Sequence, residues 1–320
     1  MHDLNIRKYF SFRLAAAGGL ILMAGCGGGG AGGTQAQPGP PVYDLLFDGQ
    51  NPDGSRLLYR VGLDGGAPRV LGAGYEGNRP HARADGKSLV YTSFGTTEMP
   101  SQIMLVEDLA KPAVLLSVNG PVVEREAVWS PDGSRIAFHS RFEDDAGDIF
   151  TAKVAGRTLE DQRNLTPHQP GNALVDGDVT PAWSPDGTRI AFTSYRAGSP
   201  AIWVMNADGT QPRQLTPTDT SHSDYFPTWS PDGTLIAFQR IDPTHSRIGI
   251  VPASGGNLGF WDFEGKAYSP SWSPDGKWIA FCGLVDGEYD IYLLNPEGTG
   301  LRRLARAGAD LGPAWIRRLQ

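Results

Sequence analysis

The sequence predicts an all-β fold, a six-bladed β-propeller of four-stranded antiparallel blades, closed by a C-terminal innermost strand in blade 1. Three observations predict it. Trp-Ser-Pro-Asp-Gly begins at Trp129, Trp183, Trp229 and Trp272, and after two further residues each copy continues Ile-Ala-Phe. The copies recur about every 43 to 54 residues, the mark of one small structural unit stacked several times. Finally, Pro313-Ala314-Trp315 repeats Pro181-Ala182-Trp183 with no second strand behind it, while the first unit has an outer half and no inner strand of its own.

The leader comes first in the chain. Arg7, Lys8 and Arg13 precede an apolar run from Leu14 to Met23, the charged and apolar regions of a secretory signal, too short for a membrane span. Leu22-Met23-Ala24-Gly25-Cys26 resembles a bacterial lipobox, with methionine where leucine is usual. That resemblance implies diacylglycerol on the Cys26 thiol, and Gly27 behind it implies export to the outer membrane, facing the periplasm. An ordinary signal cut near Ala24 or Gly25 is the alternative, leaving Cys26 a free thiol. Residues 1–25 are thus read as signal peptide and 26–41 as a tether, glycine-rich and flexible, then stiffened by Pro38-Gly39-Pro40-Pro41. The propeller is expected over 42–320.

Each part of the repeat has a physical role. The motif proline fixes φ for a turn, Asp follows, and Gly supplies the positive φ that closes a hairpin. In Ile-Ala-Phe the pleat sends two large side chains to one face and alanine to the other, where a neighbouring sheet can approach. A third strand, Ile202-Trp203-Val204-Met205 in one unit, leads through Asn206-Ala207-Asp208-Gly209 to Arg213-Gln214-Leu215. Ala84-Asp85-Gly86 followed by Leu89-Val90-Tyr91 is a degenerate copy with Ala82 in the tryptophan slot. Upstream, Leu45-Leu46-Phe47, Leu58 to Val61 and Pro68 to Leu71 form the outer part of a further unit. The C-terminal strand completes it, which leaves only short, protected edges.

The repeats resemble the TolB-type, WD-like propeller repeat, closely in Pro181 to Thr216 and more loosely over about residues 41 to 320. With the lipobox, the resemblance implies a lipoprotein of the bacterial cell envelope. Composition agrees with dense turns: 42 Gly and 25 Pro in 320 residues. If Cys26 is lipidated, Cys282 is the one remaining thiol and no intrachain disulfide forms. Removing the leader moves the formal charge from −7 to about −9, a field that disfavours nucleic acid and favours basic or metal-containing ligands.

The regular turns gather at one end of the disc. The other end collects the irregular connections, Thr92 to Ser101, His139 to Asp148, Thr193 to Pro200 and Gln239 to Ser246, where binding tends to reside. Five residues before the motif tryptophan stand Glu124, Asp178, Asp224 and Asp310, with Ala267 and Gly77 in the remaining slots. These acids could ring the channel mouth and hold a cation or a partner's basic side chain; equally, each could cap its own loop. Glu143, Asp144, Asp145 and Asp148 add charge at the same end. Tyr75, Tyr225, Phe226, Phe260, Trp261, Phe263 and Tyr268 would form an aromatic rim if exposed, or pack between blades if not.

Catalytic signatures are missing: there is no His-Glu-x-x-His, Gly-x-Ser-x-Gly, Walker loop or paired zinc cysteines. His81, His139, His168, His222 and His245 fall on or near the irregular end, and a convergence of two or three would suit a metal-dependent lyase or hydrolase resembling oligogalacturonate lyase. The favoured reading is a monomeric, non-enzymatic module that is anchored by lipid and presents its irregular face to an envelope protein or peptide, without a dedicated cofactor.

Overall fold

The computed structural model describes residues 43–318, apart from 52, 73, 96–99, 117–121, 144–146, 168–176 and 307–311. Six separate four-stranded antiparallel sheets account for every strand among the described residues, none of which is helical. Blade 4 shows the plan: Asp178–Trp183 innermost, then Arg189–Ser194, Ala201–Asn206 and Arg213–Gln214. The other inner strands are Asn78–Ala82, Glu124–Trp129, Ser223–Trp229 and Lys266–Trp272 in blades 2, 3, 5 and 6.

Blade 1 is closed by the tail of the chain. Ala314–Arg317 pairs antiparallel with Tyr43–Gln50, setting Trp315 opposite Leu45 and Ala314 opposite Leu46. Trp315 joins Leu45 and Phe47 in one buried cluster, and its Nε1 donates to the Ser271 carbonyl of blade 6 at 3.0 Å.

The turn chemistry is uniform. The motif glycines Gly133, Gly187, Gly233 and Gly276 adopt φ of 67, 71, 70 and 71°, as does Gly86 of the degenerate copy at 71°. The motif serine completes the turn. Its Oγ donates to the motif aspartate and accepts the N–H five residues on, at 2.6 and 2.9 Å for Ser184 with Asp186 and Arg189.

The second strands carry the core. Ile136-Ala137-Phe138, Ile190-Ala191-Phe192 and Ile236-Ala237-Phe238 are all fully buried. Alternation then stacks the blades: Ala137 of blade 3 lies with Ile190 and Phe192 of blade 4, Ala191 with Ile236 and Phe238, and Ala237 with Ile279 and Phe281. Around the closure, Ala280 meets Leu45 and Phe47, Leu46 meets Leu89 and Tyr91, and Val90 meets Ile136 and Phe138. Six inter-blade cores therefore repeat one pattern, with leucine and valine replacing alanine in blades 1 and 2. Cys282 is buried within the core between blades 6 and 1.

Candidate functional site

Every inner strand that carries a full ladder is broken at one place. In blades 2 to 6 the pairing with the second strand slips between Asn78 and His81, Arg125 and Val128, Val179 and Ala182, Tyr225 and Thr228, and Tyr268 and Ser271. The residue three before the tryptophan slot takes up the slip with positive φ: Arg79 at 54°, Glu126 at 59°, Thr180 at 54°, Phe226 at 54° and Ser269 at 48°. Blade 1 has Gly312 there, at 121°. These are bulges, in which an extra residue leaves the ladder and its side chain is re-aimed. The next residue is proline in five of six copies, Pro80, Pro181, Pro227, Pro270 and Pro313. A bulge tolerates proline because that position need not donate to the ladder.

Neighbouring blades satisfy the bulge backbone. The Glu126 N–H donates to Thr92 Oγ1 at 2.9 Å, the Thr180 N–H to Glu126 Oε2 at 3.0 Å and the Ser269 N–H to Gln239 Oε1 at 3.2 Å. Side chains of one blade thus hold the bulge of the next.

All six bulge residues line a central cavity of about 580 Å³ that continues past the motif tryptophans to Pro131, Pro185, Pro231 and Pro274 at the regular-turn end. The Arg79 guanidinium crosses this channel. Its Cζ lies 3.9 Å from the ring centre of Phe226, in the opposite blade, and its Nη1 donates to Ser269 Oγ at 2.8 Å. Gly312 eases the crossing, since a Cβ there would crowd Arg79 Cδ at 3.1 Å. His81, also on the channel wall, accepts the Trp129 N–H through Nδ1 at 3.2 Å, and burial lowers its pKa to about 4.

Glu124, Asp178 and Asp224 stand at the irregular ends of their inner strands, each fully buried. Asp178 pairs with Arg196 at 2.7 Å, and burial pushes its carboxyl up against that arginine's pull. Asp224 takes two hydrogen bonds of 2.7 Å from Arg240. Their charges are met within their own blades, by arginines that sequence reasoning did not assign. Asp224 and Arg240 are cross-strand partners, so counting the register could have found that pair. Asp310, Asp144, Asp145, His168 and Cys26 lie outside the described residues, as do the signal peptide and tether. Glu143 and Asp148 share the amide of Asn164, at 2.6 and 2.7 Å.

The aromatic residues separate into two groups. Tyr75 and Trp261 are buried, and Phe260 and Phe263 pack on Phe238 and Phe281. Phe226 lines the channel, and Tyr225 beside it shares a hydroxyl contact of 3.2 Å with Tyr195 of blade 4. The described histidines stay apart: His139 is buried in blade 3, His222 lies against Asp219, and His245 against Asp242. Among the described residues no three His, Cys, Asp or Glu side chains meet in a group that could hold a metal.

Six closed blades around a channel lined by differing side chains define a β-propeller with an axial cavity. A family model described as the TolB beta propeller domain matches residues 58–259. The chain belongs to that family. An uncharacterized protein of Agrobacterium fabrum is 29% identical over 193 residues, 57% of this chain and 61% of that one. The Tol-Pal system protein TolB of an Anaeromyxobacter species is 36% identical over 122 residues, 38% of this chain and 24% of that protein. The matched regions thus span less than two thirds of either relative. Among solved structures, TolB from Acinetobacter baumannii superposes with a TM-score of 0.70 at 21% identity, covering 85% of this chain and 66% of that one. An oligogalacturonate lyase from Vibrio parahaemolyticus shares the fold at 0.54 and 14% identity, over 83% and 80% of the two chains.

Proposed function

We propose that the protein is a lipid-anchored, non-enzymatic propeller of the bacterial cell envelope that binds a protein or peptide at its channel mouth and on the irregular loops around it. One observation carries this reading. A single strained backbone conformation, φ between 48 and 59°, recurs in five blades around the axis and presents five different side chains: a cation, an anion, two hydroxyls and an aromatic ring, with Gly312 in the sixth position. A purely structural ring would repeat its residue as the turns repeat theirs. Side chains held in the left-handed region despite its cost point to a role in recognition. Membership of a family that includes proteins named for the Tol-Pal system supports an envelope setting, and Cys26 with its tether supports attachment by lipid. In this reading Glu124, Asp178 and Asp224, with Asp310, serve the mouth from its rim, Asp178 and Asp224 through their arginines.

The test uses the full chain in detergent as bait on envelope extract. A discrete partner is expected, lost with Glu126→Lys or Phe226→Ala and kept with Asp208→Lys on the opposite face. Equal loss with all three would remove the channel from the binding site. Radiolabelled palmitate should enter the wild type and not Cys26→Ser.

A further inference from the structure

Arg79 is the one long cation in the bulge ring, and it reaches contacts in blades 5 and 6. It leaves blade 2, passes the space that Gly312 of blade 1 leaves open, lays its guanidinium on the face of Phe226 in blade 5 and donates to Ser269 of blade 6. Phe226 and Ser269 are themselves bulge residues, fixed by the frame rather than by Arg79. They form a cradle with a ring face on one side and a hydroxyl acceptor on another. A planar, delocalised, weakly hydrated cation suits that cradle better than a compact ammonium.

We infer that Phe226 and Ser269 form a guanidinium subsite, that Arg79 occupies it as an internal stand-in, and that an arginine side chain of a protein partner displaces Arg79 on entering the channel. This rests on the reading that a partner is received at the channel mouth, and it adds the chemistry of the residue received. Three observations support the exchange. The Phe226 and Ser269 contacts are a ring face and a neutral hydroxyl, which a second guanidinium can make as well as the first. Arg79 is only half-buried, and its backbone sits at φ 54°, a conformation that side chains adopt at a cost. The protein's formal charge of −7 favours the approach of a cation over that of an anion.

The experiment titrates the purified full chain with N-acetyl-arginine amide and with its neutral isostere N-acetyl-citrulline amide, followed by calorimetry. Arg79→Ala vacates the cradle. It should bind the arginine amide at least about tenfold more tightly than wild type, because the competitor is gone. Citrulline amide should bind neither, and Arg79→Ala combined with Phe226→Leu should lose the arginine amide again. Arg79→Gly, which relaxes the positive φ, serves as a second variant should the alanine chain fail to fold. The inference is overturned if both vacated variants ignore arginine amide, or if citrulline amide binds them equally well. Failure here leaves envelope-partner capture untouched, whereas loss of capture with tight arginine binding would count against the functional reading alone.

Discussion

Arg240 grips Asp224 through two hydrogen bonds of 2.7 Å, Nε to Oδ1 and Nη2 to Oδ2, with both side chains buried. Burying two charges gains little over burying apolar groups, but removing one partner strands the other. Arg240→Met should therefore cost about 3 to 5 kcal/mol in urea unfolding. Asp224→Leu with Arg240→Met should cost less than Arg240→Met alone. A single-variant cost below about 1 kcal/mol would mean that water reaches the carboxylate.

His81 predicts a pH dependence. Its Nδ1 must stay unprotonated to accept the Trp129 N–H, and its pKa falls from 6.5 to about 4 in the folded chain. Between those values the unfolded chain binds the extra proton, so stability rises with pH there. The contribution is complete above pH 6.5 and is lost as the pH falls towards 4. Melting temperatures measured from pH 7 to 4 should decline less steeply in His81→Gln than in wild type. Parallel declines would remove His81 as the cause.

Ser184 is fully buried, donates to Asp186 and accepts the Arg189 N–H. Ser184→Ala leaves that N–H without its partner, at a cost of about 1 to 2 kcal/mol. Ser130, Ser230 and Ser273 make the same two contacts. Because the four turns belong to different blades, denaturation of the double variant Ser130→Ala with Ser230→Ala should give the sum of the singles within about 0.5 kcal/mol.

The fold was legible because turn chemistry and strand alternation repeat together. Ile-Ala-Phe announced its two-sided burial, and a second strand at Leu45 without an inner partner, with an inner strand at Trp315 without a second one, announced closure. The bulge ring was not legible, for the opposite reason. Arg79, Glu126, Thr180, Phe226 and Ser269 share a backbone and differ in side chain, so comparing repeats for sameness discards them. The available signal was the proline after four of them, which interrupts an inner strand and marks a bulge. The partner of Asp178 was not legible because Arg196 sits in a turn beyond the second strand, where strand register does not reach, whereas Arg240 stands directly across from Asp224. Nor does an aromatic residue near a loop declare itself: Trp261 is wedged between blades while Phe226 faces the channel.

Closure supplies the last prediction. Ala314, Trp315 and Ile316 are buried, and their strand covers the inner edge of Tyr43–Gln50. Removing residues 313–320 exposes Trp315's neighbours Leu45 and Phe47 and opens a row of unpaired backbone groups, a template for pairing with another chain. Burial of a large apolar side chain contributes about 1.5 to 3 kcal/mol, so losing the burial of Trp315 and Ile316 removes at least about 3 to 6 kcal/mol, the lower end of a typical domain's stability of about 5 to 15 kcal/mol. The truncated chain should melt far below the full chain or aggregate, with amide exchange fastest over residues 43–62. A synthetic peptide of residues 312–320 added in trans should restore protection there, because only the covalent link is lost. A truncated chain that melts within about 2 °C of the full one would mean that the last strand does not close the ring.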